Sequence, residues 1–167
     1  MNILAIVAHM DDAEIYCGGT LAKFKKRGDK VNVCVVTNGN KGSYEYGPEE
    51  LTRIRREEQK KASRILGAEE PFFLDFEDDL LVDCVELRLG IIDAIRAAQP
   101  DIIITHYPHD GSNDHGMTGT AVSKALIGLP WDNVPVKNPP IRKMPQLFYM
   151  DTAGGIGFLP EVYVDIS

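Results

Sequence analysis

The chain has 167 residues, 44% hydrophobic and 26% charged, the balance of an ordinary globular protein long enough to enclose one core. Eighteen Lys and Arg stand against 25 Asp and Glu, giving a net charge of -7, so the long-range field repels polyphosphate and argues against nucleic acid as a partner. Cys17, Cys34 and Cys84 are odd in number, scattered and without a CxxC pair, which argues against a disulfide framework and against a thiolate metal site.

The first apolar run, Ile3 to Ala8, meets His9, Asp11 and Asp12 at once. It is too short and too polar-flanked for a signal peptide or a membrane span, which predicts a cytoplasmic protein. Asn2 to Ala8 reads as a strand and Glu14 to Lys26 as a helix stopped at Gly28. Val31 to Thr37 is the next strand, Asn38 to Gly47 a Gly/Asn loop, and Pro48 to Leu66 a charged helix ended by Gly67. Phe72 to Leu74 is a shorter strand candidate, Val85 to Ala98 is helical in period, and Asp101 to Thr105 carries the buried run Ile102, Ile103, Ile104. After a loop from His106 to His115, a helical pattern resumes over Met117 to Leu126. Gly128 to Pro145, rich in proline, reads as a long loop and a candidate lid, while Leu147 to Met150 and Val162 to Ile166 are candidate further strands. This alternation predicts an α/β, three-layer, Rossmann-like fold: a mostly parallel sheet with helices on both faces, residues 1–167 forming a single domain. The chain ends at Ser167 directly after a strand-like segment, so a missing C-terminal segment is expected.

Two polar clusters follow strands. The first, His9-Met10-Asp11-Asp12-Ala13-Glu14, sits where a strand gives way to a helix, the side of a doubly wound sheet that faces the ligand crevice. A helix cap, worth about 1 kcal/mol, explains one Asp there but neither His9 nor two adjacent carboxylates that repel each other without a cation. The second, His106 to His115, follows the Ile102 to Ile104 strand. A strand order of 3-2-1-4 makes these two loops neighbours at a topological switch point, where His9, Asp12 and His115 can converge on one metal. Two His and one carboxylate with an open position form a catalytic zinc set, and the same trio describes non-haem ferrous iron sites.

At this point the sequence resembles a family. His9-Met10-Asp11-Asp12-Ala13-Glu14, followed by Cys17-Gly18-Gly19-Thr20-Leu21, is similar to the AHPDDxE...GGTL signature of the LmbE/PIG-L zinc N-deacetylases. Arg55-x-x-Glu58, with Ala62 and Leu66-Gly67, resembles that family's R-x-x-E helix, and Asn113-Asp114-His115 matches the latter part of its HPDH motif. The resemblance implies a hydrolase that cleaves an N-acyl group, N-acetyl above all, from a sugar-like small molecule, with frequent self-association. It implies Zn2+ held by His9, Asp12 and His115, with Asp11 as general base and Asp114 orienting its neighbours. Zinc lowers the pKa of a bound water toward about 7, so that Asp11 can accept a proton as the amide is attacked. Met10 replaces the usual Pro, and Ser112 stands where the first His of HPDH is expected. A Ser hydroxyl can hydrogen-bond an oxyanion but cannot shuttle protons near pH 7, which makes His109, with His106 as second choice, the candidate proton donor. Arg55 is the candidate substrate anchor, against a default of an intrahelical pair with Glu58. Two other readings stand beside this one: a metal phosphoesterase, which would need ligands for two metals about 4 Å apart, and a non-catalytic sugar- or metal-binding protein on the same scaffold.

Overall fold

The computed structural model describes residues 1–155 and 157–167. Five strands, β1 (Asn2–Val7), β2 (Lys30–Thr37), β3 (Phe72–Phe76), β4 (Ile102–Thr105) and β5 (Gln146–Tyr149), form one sheet in the order β3-β2-β1-β4-β5. Every pairing is parallel. Helices α1 (Asp12–Lys26), α2 (Pro48–Leu66), α3 (Val85–Ala98) and α4 (Asn113–Ala125) supply the crossovers, so the three-layer Rossmann-like α/β architecture is observed.

The near-continuous apolar strands are explained by burial on both faces. Leu4, Ile6, Cys34, Val36 and Ile103 pack with Leu87, Ile91, Ile95, Ala121 and Val122 of α3 and α4. Their alternate neighbours, Ile3, Ala5, Val7, Val31, Val33, Val35 and Ile104, face Ala13, Cys17 and Leu21 of α1. A period of two thus feeds two cores at once. Two fully buried threonines lock the carboxyl end of β1: Thr37 Oγ1 donates to Ala8 O at 2.9 Å, and Thr105 Oγ1 donates to Ile6 O at 2.8 Å.

Some boundaries differ from those predicted. The helix expected from Met117 begins at Asn113, which moves Asp114 and His115 from the loop onto the first turn of α4. That turn is tightly seated: a Cβ on Gly119 would lie 2.2 Å from His106 O, and one on Gly116 would lie 3.1 Å from Pro108 O. The strand expected to stop at Leu74 continues to Phe76 past Asp75, which adopts φ 61° where the β2–β3 register shifts. A short polar side chain tolerates that left-handed conformation at a bulge. Residues 162–166, a candidate strand, carry no strand pairing.

The loop from Gly128 to Pro145 is no lid. It joins the end of α4 to the start of β5, at the amino edge of the sheet, opposite the crevice. There the buried Arg96 guanidinium donates to the carbonyls of Gly128 (2.9 Å), Trp131 (2.7 Å) and Asn138 (3.0 Å), and Asn138 N donates to Asp93 Oδ1 at 2.8 Å. Among the described residues no helix is long and apolar enough to cross a membrane.

Candidate metal centre

The switch point lies between β1 and β4, and the loops leaving the carboxyl ends of β1, β3 and β4 meet above it. His9 follows β1, Asp12 opens α1, Asp78 follows β3, His106 follows β4, and Asp110, Asp114 and His115 come from the turn into α4.

Asp12 is the hub. Its carboxylate, 4% exposed, accepts from His9 N at 2.7 Å and lies 3.3 Å from His9 Nδ1, 3.1 Å from His106 Nε2 and 3.4 Å from His115 Nε2. Burial opposes its ionisation, but the imidazoles of His106, His115 and His9 outweigh that and hold Asp12 well below the usual carboxylate range. His9 is opposed by burial too, yet the bond to Asp12 and the charges of Asp12, Asp78 and Asp114 bring its pKa up to about 9. His115 is raised for the same reason, burial being outweighed by Asp12 and Asp110. His106, fully enclosed, is lowered by burial. Its ring stacks on that of His115 with centroids 3.9 Å apart, and Tyr16 closes the side in an edge-to-face contact with His115, centroids 5.7 Å apart.

The donor set fits a divalent cation. His9, Asp12 and His115 each offer a ligand atom, all within 4.8 Å of one another. The ring nitrogens are also sorted. His9 turns Nδ1 toward Asp12 and Nε2 toward Asp78 (3.2 Å) and Asp114 (3.3 Å). His115 turns Nε2 toward Asp12 and Nδ1 toward Asp110 (3.4 Å). One nitrogen of each ring thus faces the common point while the other meets a carboxylate, the arrangement that fixes metal-ligating imidazoles. Two more groups with ligand-like spacing, His106-Asp110-His115 and His9-Asp78-Asp114, share residues with the first and belong to the same centre.

The helix-cap explanation fails for both aspartates. Asp11 occupies the N-cap position of α1 without a side-chain bond to the helix. Instead its Oδ2 accepts from Arg55 at 2.9 Å, and the same guanidinium donates to Met10 O at 2.7 Å. Arg55, read as a substrate anchor, is therefore engaged with Asp11, and it also keeps the expected Glu58 pair at 3.5 Å. Asp11 is about half exposed at the mouth, whereas Asp12 is enclosed. Asp114 accepts from the backbone N–H groups of Asp79 (2.7 Å) and Leu81 (3.2 Å), tying the β3 loop to His9. Ser112 is half-buried at the N-cap of α4. His109 is exposed, with its ring 5.3 Å from that of Tyr107, and has no bond to the cluster.

Sequence reasoning passed over Asp78 and Asp110 and ranked His106 only as a spare proton donor. The strand-end rule would have marked Asp78 had β3 been extended past Asp75. Asp110 carries no local signal, because its approach to His115 depends on where α4 starts.

The chain matches the family described as PIG-L, GlcNAc-PI de-N-acetylase, over residues 4–126. It is 36% identical over 136 residues to diacetylchitobiose deacetylase of Thermococcus kodakarensis, a match covering 77% of this chain and 51% of that protein. The chain therefore spans about half the length of that relative. The conserved protein TT1542 from Thermus thermophilus superposes with a TM-score of 0.87 at 32% identity, covering 100% of this chain and 73% of the other. The 4-carboxy-2-hydroxymuconate hydratase GalB from Pseudomonas putida KT2440 shares the fold, with a TM-score of 0.86 at 22% identity, over 99% of this chain and 73% of that one.

Proposed function

The chain belongs to the PIG-L family of GlcNAc-PI de-N-acetylases, and from that membership we propose that it is a metal-dependent hydrolase removing an N-acyl group, N-acetyl first, from a sugar or sugar conjugate. The observation that carries this reading is the centre around Asp12. Two imidazoles and a carboxylate turn ligand atoms to one point, while a second carboxylate, Asp11, stands beside them at the open mouth. His9, Asp12 and His115 would hold the cation, with Zn2+ the preferred one and Fe2+ compatible with the same ligand types. A cation there supplies a Lewis acid toward water and toward an amide carbonyl.

The chain's own groups divide the remaining work. Arg55 grips Asp11 through Oδ2, leaving Oδ1 to take a proton from water and to return it to the amide nitrogen as the amine departs. Asp78 and Asp114 steady His9 from behind. Ser112 is proposed to hydrogen-bond the substrate, and His109 is the alternative proton donor, one that would have to leave Tyr107 to act. Residues 1–167 are proposed as one domain of a cytoplasmic enzyme, with self-association expected from its family.

The test is amine release from N-acetylglucosamine and from its β-linked dimer, before and after chelation and with zinc restored. Release that stops with chelator and returns with about one equivalent of zinc supports the reading. A metal-loaded protein that frees no amine from any N-acetyl sugar overturns it in favour of a binding protein or a phosphoesterase.

A further inference from the structure

Behind His115, on the side away from Asp12, lies a carboxylate with a divided role. Asp110 Oδ1 accepts from Ser112 N at 2.8 Å, which fixes how the carboxylate is turned at the start of α4. Its Oδ2 then points at His115 Nδ1, 3.4 Å away, with the side chain only 1% exposed. Asp110 Oδ2 and His115 Nδ1 are both buried and neither has a formed hydrogen bond, so each is the other's only available polar partner at 3.4 Å.

We propose that Asp110 is a positioning residue for the metal centre: its Oδ2 accepts the Nδ1–H of His115 and so fixes the tautomer whose bare Nε2 faces Asp12. The inference rests on the metal reading above and extends it to a residue outside the ligand set. Two alternatives for the His115 proton are open to a neutral ring. With the proton on Nε2, an N–H would point into the ligand cluster while two lone pairs, on Nδ1 and on Oδ2, faced each other in a dry pocket. A buried polar atom left unpaired costs about 1–3 kcal/mol; in the metal-free protein an Nε2–H facing Asp12 at 3.4 Å offsets part of that cost, an offset that is lost once a cation takes Nε2. With the proton on Nδ1, a small closing of the 3.4 Å gap pairs both buried atoms, and Nε2 offers its lone pair where a ligand is needed. Asp114 stands in the same relation to His9 Nε2, but with its own oxygens already engaged by Asp79 N and Leu81 N. The two rings are thus oriented by two carboxylates of one loop-to-helix turn.

Asp110→Asn separates this role from a structural one. An amide can still accept from Ser112 N, but it then turns an NH2 toward His115 Nδ1 and favours the wrong tautomer. Zinc affinity, read by chelator competition, is expected to fall ten- to hundredfold, with the melting temperature of the metal-free protein little changed. An affinity within threefold of the wild type, or a loss matched by unfolding of the metal-free variant, overturns the proposal. A second readout needs no variant. In 15N NMR of the zinc-loaded wild type, His115 Nδ1 should carry the proton, and a bare Nδ1 overturns the proposal even if Asp110→Asn does not fold. A wild-type chain that takes up no zinc overturns both this inference and the metal reading, a result distinct from the others.

Discussion

Zinc binding to this protein should be strongly linked to protons, with a sign set by the Asp12 cluster. In the metal-free protein His9 titrates at about 9, against an ordinary value of 6.5, because the surrounding carboxylates outweigh its burial. At pH 7 roughly one molecule in a hundred then presents a bare ring, so the apparent affinity should be about a hundredfold below its alkaline limit. It should rise about tenfold from pH 7 to pH 8 through His9 alone, and more steeply if His115, also raised, is charged as well. The metal-free fold should respond in the opposite direction. A raised folded-state pKa contributes stability that is complete below about 6.5 and is lost as pH climbs through about 9. Chelator competition at several pH values, with calorimetry in buffers of different ionisation heat, measures the first effect; thermal melts of the metal-free protein measure the second. An affinity that is flat from pH 7 to 8.5, with no proton released per zinc, would refute the argument.

Asp11→Asn should keep the metal and lose activity about a hundredfold or more, whereas Asp12→Asn should lose the metal; elemental analysis decides, and the reverse pattern means that the two carboxylates are exchanged in role. His115→Ala should lose most of about one bound equivalent, measured the same way. Gly119→Ala gains up to about 1 kcal/mol of helix propensity but drives a methyl into His106 O, so a net loss of about 2 kcal/mol is expected in urea unfolding. His109→Ala should leave zinc content unchanged, and an unaltered basic limb of its pH–rate profile would leave Asp11 as both base and acid.

The fold was legible because its signals are local and repeated. Apolar runs such as Ile102-Ile103-Ile104, with Pro48 at a helix start and Gly67 at its stop, name their elements without help from the rest of the chain. The meeting of His9, Asp12 and His115 was legible for a related reason: His9 and Asp12 leave the carboxyl end of β1, and His115 lies in the connection that leaves β4, its neighbour in the sheet. What escaped depends on contacts between segments. The run Glu77-Asp78-Asp79 looked detached from β3 because Asp75 breaks the alternation at a bulge. Arg55 read as a substrate anchor, or by default as a partner of Glu58, since nothing near it in sequence announces Asp11, 44 residues away. The proline-rich stretch looked like a lid because composition marks a loop but not its end of the sheet. The buried Arg96, an ordinary cation in the sequence, and Asp93 on the same helix tie it to the far side.

That placement has a practical consequence for anyone following the protein by light. Trp131 is the sole tryptophan of the chain, and it sits exposed in the loop pinned by Arg96, at the end of the sheet away from His9 and His115. Intrinsic emission excited at the indole band will therefore report whether this loop is docked, and it will change little when zinc is added or withdrawn. A silent fluorescence titration would say nothing against metal uptake. A fall in its emission anisotropy on mild heating, ahead of the loss of far-ultraviolet dichroism, would mark the back of the molecule loosening while the crevice is still assembled.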